Sequence, residues 1–113
     1  MRRAAAVPES GDLVWLSFSP QAGREQAGRR PALVLSPGAF NDRVGLAFVC
    51  PITRRIKGYP FEVALRSDRV SGVVLVDQLR SLDWRARQAE PAGRAPAAVR
   101  SEVLAKLRPL LGG

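Results

Sequence analysis

Two short polar stretches hold residue types whose spacing suits phosphate chemistry. The first reads Gln21-Ala22-Gly23-Arg24-Glu25-Gln26-Ala27-Gly28-Arg29-Arg30 and sets one carboxylate among arginines. The second, Thr53-Arg54-Arg55-Ile56-Lys57-Gly58, places a hydroxyl before a run of cations. Guanidinium is planar, permanently charged and able to grip phosphate with two hydrogen bonds at once, so both stretches fit a phosphate-bearing partner. A carboxylate such as Glu25 can accept a proton. Neighbouring Arg24, Arg29 and Arg30 favour its charged form, which keeps it ionised and weakens it as a base. The plainer reading is that Glu25 pairs with these arginines and orders the loop.

The rest of the composition narrows the chemistry. The 113 residues carry 18 cations against 10 carboxylates, a net charge of +8, and every cation except Lys57 and Lys106 is arginine. A solvated basic surface arising from codon usage would have the same composition. There is no histidine, which excludes a histidine triad or acid–base pair. The single cysteine, Cys50, ends the apolar run Leu46-Ala47-Phe48-Val49-Cys50 and reads as a small buried hydrophobe. One cysteine and no histidine cannot assemble the usual zinc sets, so no metal and no cofactor are expected.

The elements that must position these loops are short strands. Residues 13–18, 32–35, 46–50, 61–65, 73–76 and 79–84 are compact apolar or alternating runs separated by Gly, Pro and polar residues. The fourth strand ends at Leu65, and the third is expected to end at Pro51. Residues 39–43 have room for one helical turn. Val99, Val103, Leu104, Leu107 and Leu111 recur at helical spacing behind Pro96, which predicts a terminal amphipathic helix that Pro109 ends or kinks. The pattern is mainly β with a C-terminal α-helix, one small barrel domain over 1–113, with 1–10 as a flexible lead. A small core leaves apolar surface for a second subunit. The start, Met1 to Pro8, is too short for a signal peptide, and no apolar run reaches the roughly eighteen residues a bilayer crossing needs. A cytoplasmic protein without membrane contact is expected.

Gly11-Asp12-Leu13-Val14-Trp15-Leu16 followed by Gly23-Arg24-Glu25-Gln26-Ala27-Gly28-Arg29-Arg30-Pro31 resembles the opening of the MazF/PemK toxin family. Leu35-Ser36-Pro37, Pro51-Ile52-Thr53, Lys57-Gly58-Tyr59-Pro60-Phe61-Glu62-Val63 and Asp77-Gln78-Leu79-Arg80-Ser81-Leu82-Asp83-Trp84-Arg85 continue it in the family's order, so that the likeness runs from Gly11 to the end. The resemblance implies an SH3-like β-barrel of the kind shared with CcdB, a homodimer, and sequence-specific, metal-independent cleavage of single-stranded RNA. It also implies a MazE-like antitoxin whose acidic, flexible tail covers the groove. The sequence departs from many relatives at Ile52 and at Arg54-Arg55-Ile56, in loops that touch RNA, so the recognised bases do not carry over.

Under that resemblance Glu25, Arg30 and Thr53 form the catalytic set. Cutting without a metal ion requires the ribose 2′-hydroxyl to attack its own phosphate, leaving a 2′,3′-cyclic phosphate and a 5′-hydroxyl. Glu25 can take the hydroxyl proton. Arg30, fixed before Pro31, suits the charge that builds on the phosphorane. The role of Thr53 rests on the resemblance, since a lone threonine after a strand commonly caps backbone. Arg24, Gln26, Arg29, Arg54, Arg55 and Lys57 would follow the RNA backbone. Asp77 and Gln78 would read base edges, unless they merely cap the fifth strand. Phe18 is the expected stacking residue, with Trp15, Phe40, Phe48 and Phe61 assigned to the core and Tyr59 beside the second loop.

Two rival readings keep the barrel but change its work. A gyrase-poison-like toxin would bind a protein through a tryptophan near its C-terminus, whereas this chain finishes Leu110-Leu111-Gly112-Gly113. A non-catalytic RNA-binding barrel would not need Glu25, Arg30 and Thr53 together.

Overall fold

The computed structural model describes residues 6–19 and 28–113. Among these described residues, seven antiparallel strands, β1 (Asp12–Ser17), β2 (Arg29–Val34), β3 (Leu46–Thr53), β4 (Glu62–Arg66), β5 (Ser71–Leu75), β6 (Arg80–Asp83) and β7 (Glu90–Arg94), make one curled sheet. Its order is β4-β5-β3-β2-β1-β7, with β6 on the free half of β3. Two helices complete it, α1 (Gly38–Val44) between β2 and β3 and α2 (Ala97–Leu110) at the end. The mainly β architecture with a C-terminal helix is the one read from the sequence. Among the described residues no helix is long and apolar enough to cross a membrane.

The central strands are apolar runs because both of their faces meet a core over most of their length. Leu13, Leu33, Cys50 and Val74 point to one core, which α2 closes with Val99, Val103 and Leu107. Their neighbours Val14, Ala32, Val34 and Val49 point to a second core containing Leu16, Phe18, Leu82 and Trp84. Alternate residues thus serve opposite cores, and period-2 polarity disappears.

Several expected boundaries shift. β3 does not stop at Pro51 but continues to Thr53. Pro51 falls where β3 passes from β6 (residues 46–49) to β5 (residues 52–53), so its missing N–H faces a gap between partners. A seventh strand, Glu90-Pro91-Ala92-Gly93-Arg94, was not expected. It lies at the sheet edge, pairing only with β1, where proline and glycine are tolerated. Pro96 precedes α2 with extended backbone, and Pro109 lies in its last turn, one residue before the helix stops.

Candidate active site

The β2–β3 register sets up the site. Ala32 pairs with Pro51 and Leu33 with Cys50. Arg30 precedes this paired stretch near the start of β2 and Thr53 follows it at the end of β3, where the strands run out into loops. These two side chains share a cavity of about 960 Å³. Arg54, Arg55, Lys57 and Tyr59 of the β3–β4 loop form one wall, with Arg69 and Ser71 from the β4–β5 hairpin beside them. Arg29, Pro31 and Trp15 line it from β2 and β1, and Asp77 and Gln78 from the 3-10 turn Val76–Gln78. Among the described residues, six cations and two carboxylates, Glu62 and Asp77, thus line one hollow.

Thr53 is buried and its hydroxyl accepts the Arg55 backbone N–H at 3.1 Å. The capping role and a place in the cavity therefore coexist, because an oxygen that accepts from the backbone keeps its own proton to donate. Close backbone contact fixes Thr53 from below. A Cβ on Gly72, whose φ is +143°, would lie 2.2 Å from the Thr53 carbonyl oxygen. Only glycine allows β5 this near.

Beneath the floor, the Cys50 thiol is pushed up to about 12, mainly by burial and secondarily by the negative charge of Asp77. It is an inert core group, as its apolar surroundings implied.

Arg29 is less available than the sequence implied. It is ion-paired with Glu90 and donates at 2.8 Å to the carbonyl of Gln88, a residue held at φ 57°. The same turn between β6 and β7 anchors the other stem of the first loop. Arg87 donates to the carbonyls of Ser17 and Ser19, and Phe18 N–H bonds Gly28 at 2.8 Å to close the loop base. Arg24, Glu25 and Gln26 lie outside the described residues.

The stacking assignment is corrected. Phe18 is fully buried in the second core, with the Arg80 guanidinium 5.6 Å from its ring centre, and cannot present a face to a base. Trp15 and Phe48, expected in the core, are 38% and 40% exposed. Both alternate with inward residues on strands whose apolar runs hid the outward face. Trp15 lies on the cavity, while Phe48 stacks on Phe40 elsewhere, at 5.5 Å. Phe61 does pack against the first core. Arg69, Ser71 and Glu62 also line the cavity and were missed. The only local signal was a polar hairpin, Ser67-Asp68-Arg69, with no feature to aim it.

Residues 9–111 match the family described as PemK-like, MazF-like toxin of type II toxin-antitoxin system. The chain belongs to this family. Among its members, the endoribonuclease toxin MazF of Escherichia coli K12 is 45% identical over 106 residues, covering 94% of this chain and 96% of that relative. The crystal structure of MazF from Deinococcus radiodurans superposes with a TM-score of 0.91 at 61% identity, covering 96% of this chain and 99% of that one. A MazE–MazF crystal structure from the same organism gives 0.85 at 62% identity, covering 95% and 97%. The MazF-like fold thus supplies the strand ends and loops from which this cavity is built.

Proposed function

We propose that this chain is a sequence-specific endoribonuclease toxin that cleaves single-stranded RNA by attack of the ribose 2′-hydroxyl on the adjacent phosphorus. The bond formed is O2′–P and the bond broken is P–O5′, giving a 2′,3′-cyclic phosphate and a 5′-hydroxyl. The observation that carries this reading is that Arg30 and Thr53 line one cavity walled by further cations. The guanidinium of Arg30 stabilises the growing negative charge on the non-bridging oxygens, and Thr53 donates its hydroxyl proton to one of them. Glu25, assigned through the family resemblance, accepts the 2′-hydroxyl proton, and the departing O5′ takes up a proton from solvent water to become the 5′-hydroxyl. Arg54, Arg55, Lys57 and Arg69 hold the flanking phosphates. Trp15, in place of Phe18, and Tyr59 offer ring faces to unpaired bases. Asp77 and Gln78 meet base edges, which only a single strand exposes fully.

The family relation and the MazE–MazF complexes of Deinococcus radiodurans support a MazE-like antitoxin as partner, its acidic tail competing for the same cationic hollow. A homodimer is part of the same reading.

The test is to incubate the purified protein with a long RNA in excess chelator and map the new ends. Cleavage that persists, leaves a 5′-hydroxyl and vanishes when the 2′-hydroxyl at the cut is replaced by hydrogen supports the mechanism. A 5′-phosphate product or dependence on magnesium overturns it.

A further inference from the structure

Glu62 is an anion in a hollow built for an anion. Simple electrostatics would count it as a defect, since its charge opposes the phosphates the cavity is read to hold. Its contacts give it another role. Among the described residues it forms no ion pair with Arg54, Arg55 or Lys57, although all three share its cavity. Its two carboxylate oxygens instead accept backbone N–H groups, Oε2 from Lys57 and Oε1 from Gly58, each at 3.0 Å.

The loop between β3 and β4 is tied at both ends by such bonds. Thr53 Oγ1 accepts the Arg55 N–H on the strand side, and Glu62 accepts those of Lys57 and Gly58 on the other. Gly58, at φ +80°, allows the chain to turn so that consecutive amides point at one carboxylate. Beyond them Glu62 N–H closes a turn on the Tyr59 carbonyl at 3.1 Å, and Lys106 of α2 donates to the carbonyl of Pro60. Both carboxylate oxygens are thus engaged by the main chain. Arg54, Arg55, Lys57 and Tyr59, the last 49% exposed, line the hollow.

We infer that Glu62 is a positioning residue that sets substrate selectivity: it latches the β3–β4 loop in the one shape that aligns Arg54, Arg55, Lys57 and Tyr59 for a particular run of bases. The inference rests on the reading of this cavity as the RNA site. A carboxylate accepting two amides is a charge-assisted pair, and losing it shifts loop opening by about ten-fold or more. Opening lets the cations meet phosphates in many registers, which loosens selection without touching Arg30 or Thr53.

The experiment compares wild type with Glu62→Gln, which keeps length and shape but can present only one acceptor oxygen. The readouts are amide exchange at Lys57 and Gly58, kcat and KM, and cut-site preference across a randomised single-stranded RNA. The latch predicts exchange at both amides faster by about ten-fold, KM raised by a similar factor, kcat within about three-fold, and a broadened set of cut sites. A bystander charge predicts the opposite sign: loss of a negative group from the hollow would tighten RNA binding with preference unchanged, and that result overturns the inference. Unchanged amide exchange overturns it as well. If wild type cut no RNA, the proposed activity and the selectivity role would both fall, while faster exchange in the variant would still establish the latch itself.

Discussion

The Arg29 guanidinium, at the start of β2, is bound across the width of β1 by the Glu90 carboxylate at the start of β7. One cation of the cavity wall is therefore already compensated within the protein, and an incoming phosphate must compete with Glu90 for it. Glu90→Gln is expected to tighten RNA binding by roughly two- to five-fold, the scale of an exposed ion pair. The salt dependence should steepen by up to about 0.7 in log–log slope, one more phosphate contact on a single strand. Binding of an RNA lacking the 2′-hydroxyl at the cut, titrated at several salt concentrations, measures both. An unchanged slope would remove Arg29 from the RNA surface.

Arg30→Ala should leave folding intact and reduce turnover by about 100- to 1,000-fold, the loss typical of one charge-stabilising donor. KM should change far less, because a group that acts on the phosphorane is strengthened in the transition state. Arg30→Lys keeps the charge without the planar fork and should remain severely impaired. Steady-state kinetics on a short single-stranded substrate decide this, and full activity in the lysine variant would reduce Arg30 to a point charge.

The two aromatic residues of β1 and its end should separate cleanly. Trp15→Ala is expected to weaken RNA binding by about 1 to 3 kcal/mol, one lost base stack. Phe18→Ala should instead cost about 3 to 5 kcal/mol of folding stability, because its ring is fully enclosed. Denaturant melts run alongside binding titrations test the pair. A Phe18 variant that folds normally but loses RNA would reverse the assignment.

Gly72→Ala probes the floor of the site without removing any functional group. The new methyl group would press on the Thr53 carbonyl and on the Arg54 Cα, which is 3.3 Å from the added atom. Overpacking of this kind costs about 1 to 3 kcal/mol. A displacement of Thr53 by an ångström would lower turnover by about 100-fold. A folded variant with full turnover would show that the placement of Thr53 is not needed.

The thiol of Cys50 makes a pH prediction. Its ordinary value is 9.0 and burial pushes it up to about 12, so the unfolded chain releases the proton first as pH rises. The stability this provides is complete below pH 9 and is lost between 9 and 12. At pH 10 the loss is on the order of 1 kcal/mol. Melts of wild type and Cys50→Ala over this range should differ in slope, whatever the offset from the smaller side chain. Native Cys50 should also resist thiol reagents at pH 8, and rapid alkylation would contradict its burial.

The central strands were legible because residues 32–35 and 46–50 are too apolar and too short for anything except buried β-structure. β7 was not, because Pro91 and Gly93 look like punctuation, and only the neighbouring β1 makes them a strand. At the site, the types at Arg30 and Thr53 were visible, but their meeting in one cavity follows from the pairing of β2 with β3, which links residues distant in sequence. Arg69 and Glu62 reach the hollow from a hairpin whose orientation the local pattern does not encode. Phe18 and Trp15 exchanged roles for the same reason: a run apolar on both faces gives no sign of which ring looks outward.

The chain's two tryptophans lie in opposite surroundings. Trp84 is sealed in the second core, 1% exposed, with its indole N–H donated to the Asn41 carbonyl at 2.9 Å, whereas Trp15 stands on the cavity wall. An indole's emission shifts with the polarity around it, so the protein contains two optical reporters that answer different questions. Trp84 emits as a dry ring until the core opens and therefore follows unfolding. Trp15 faces solvent until something covers the hollow and therefore follows occupancy. With Trp84→Phe the remaining signal isolates binding, and with Trp15→Phe it isolates the fold, so RNA and antitoxin can be titrated against the unlabelled protein.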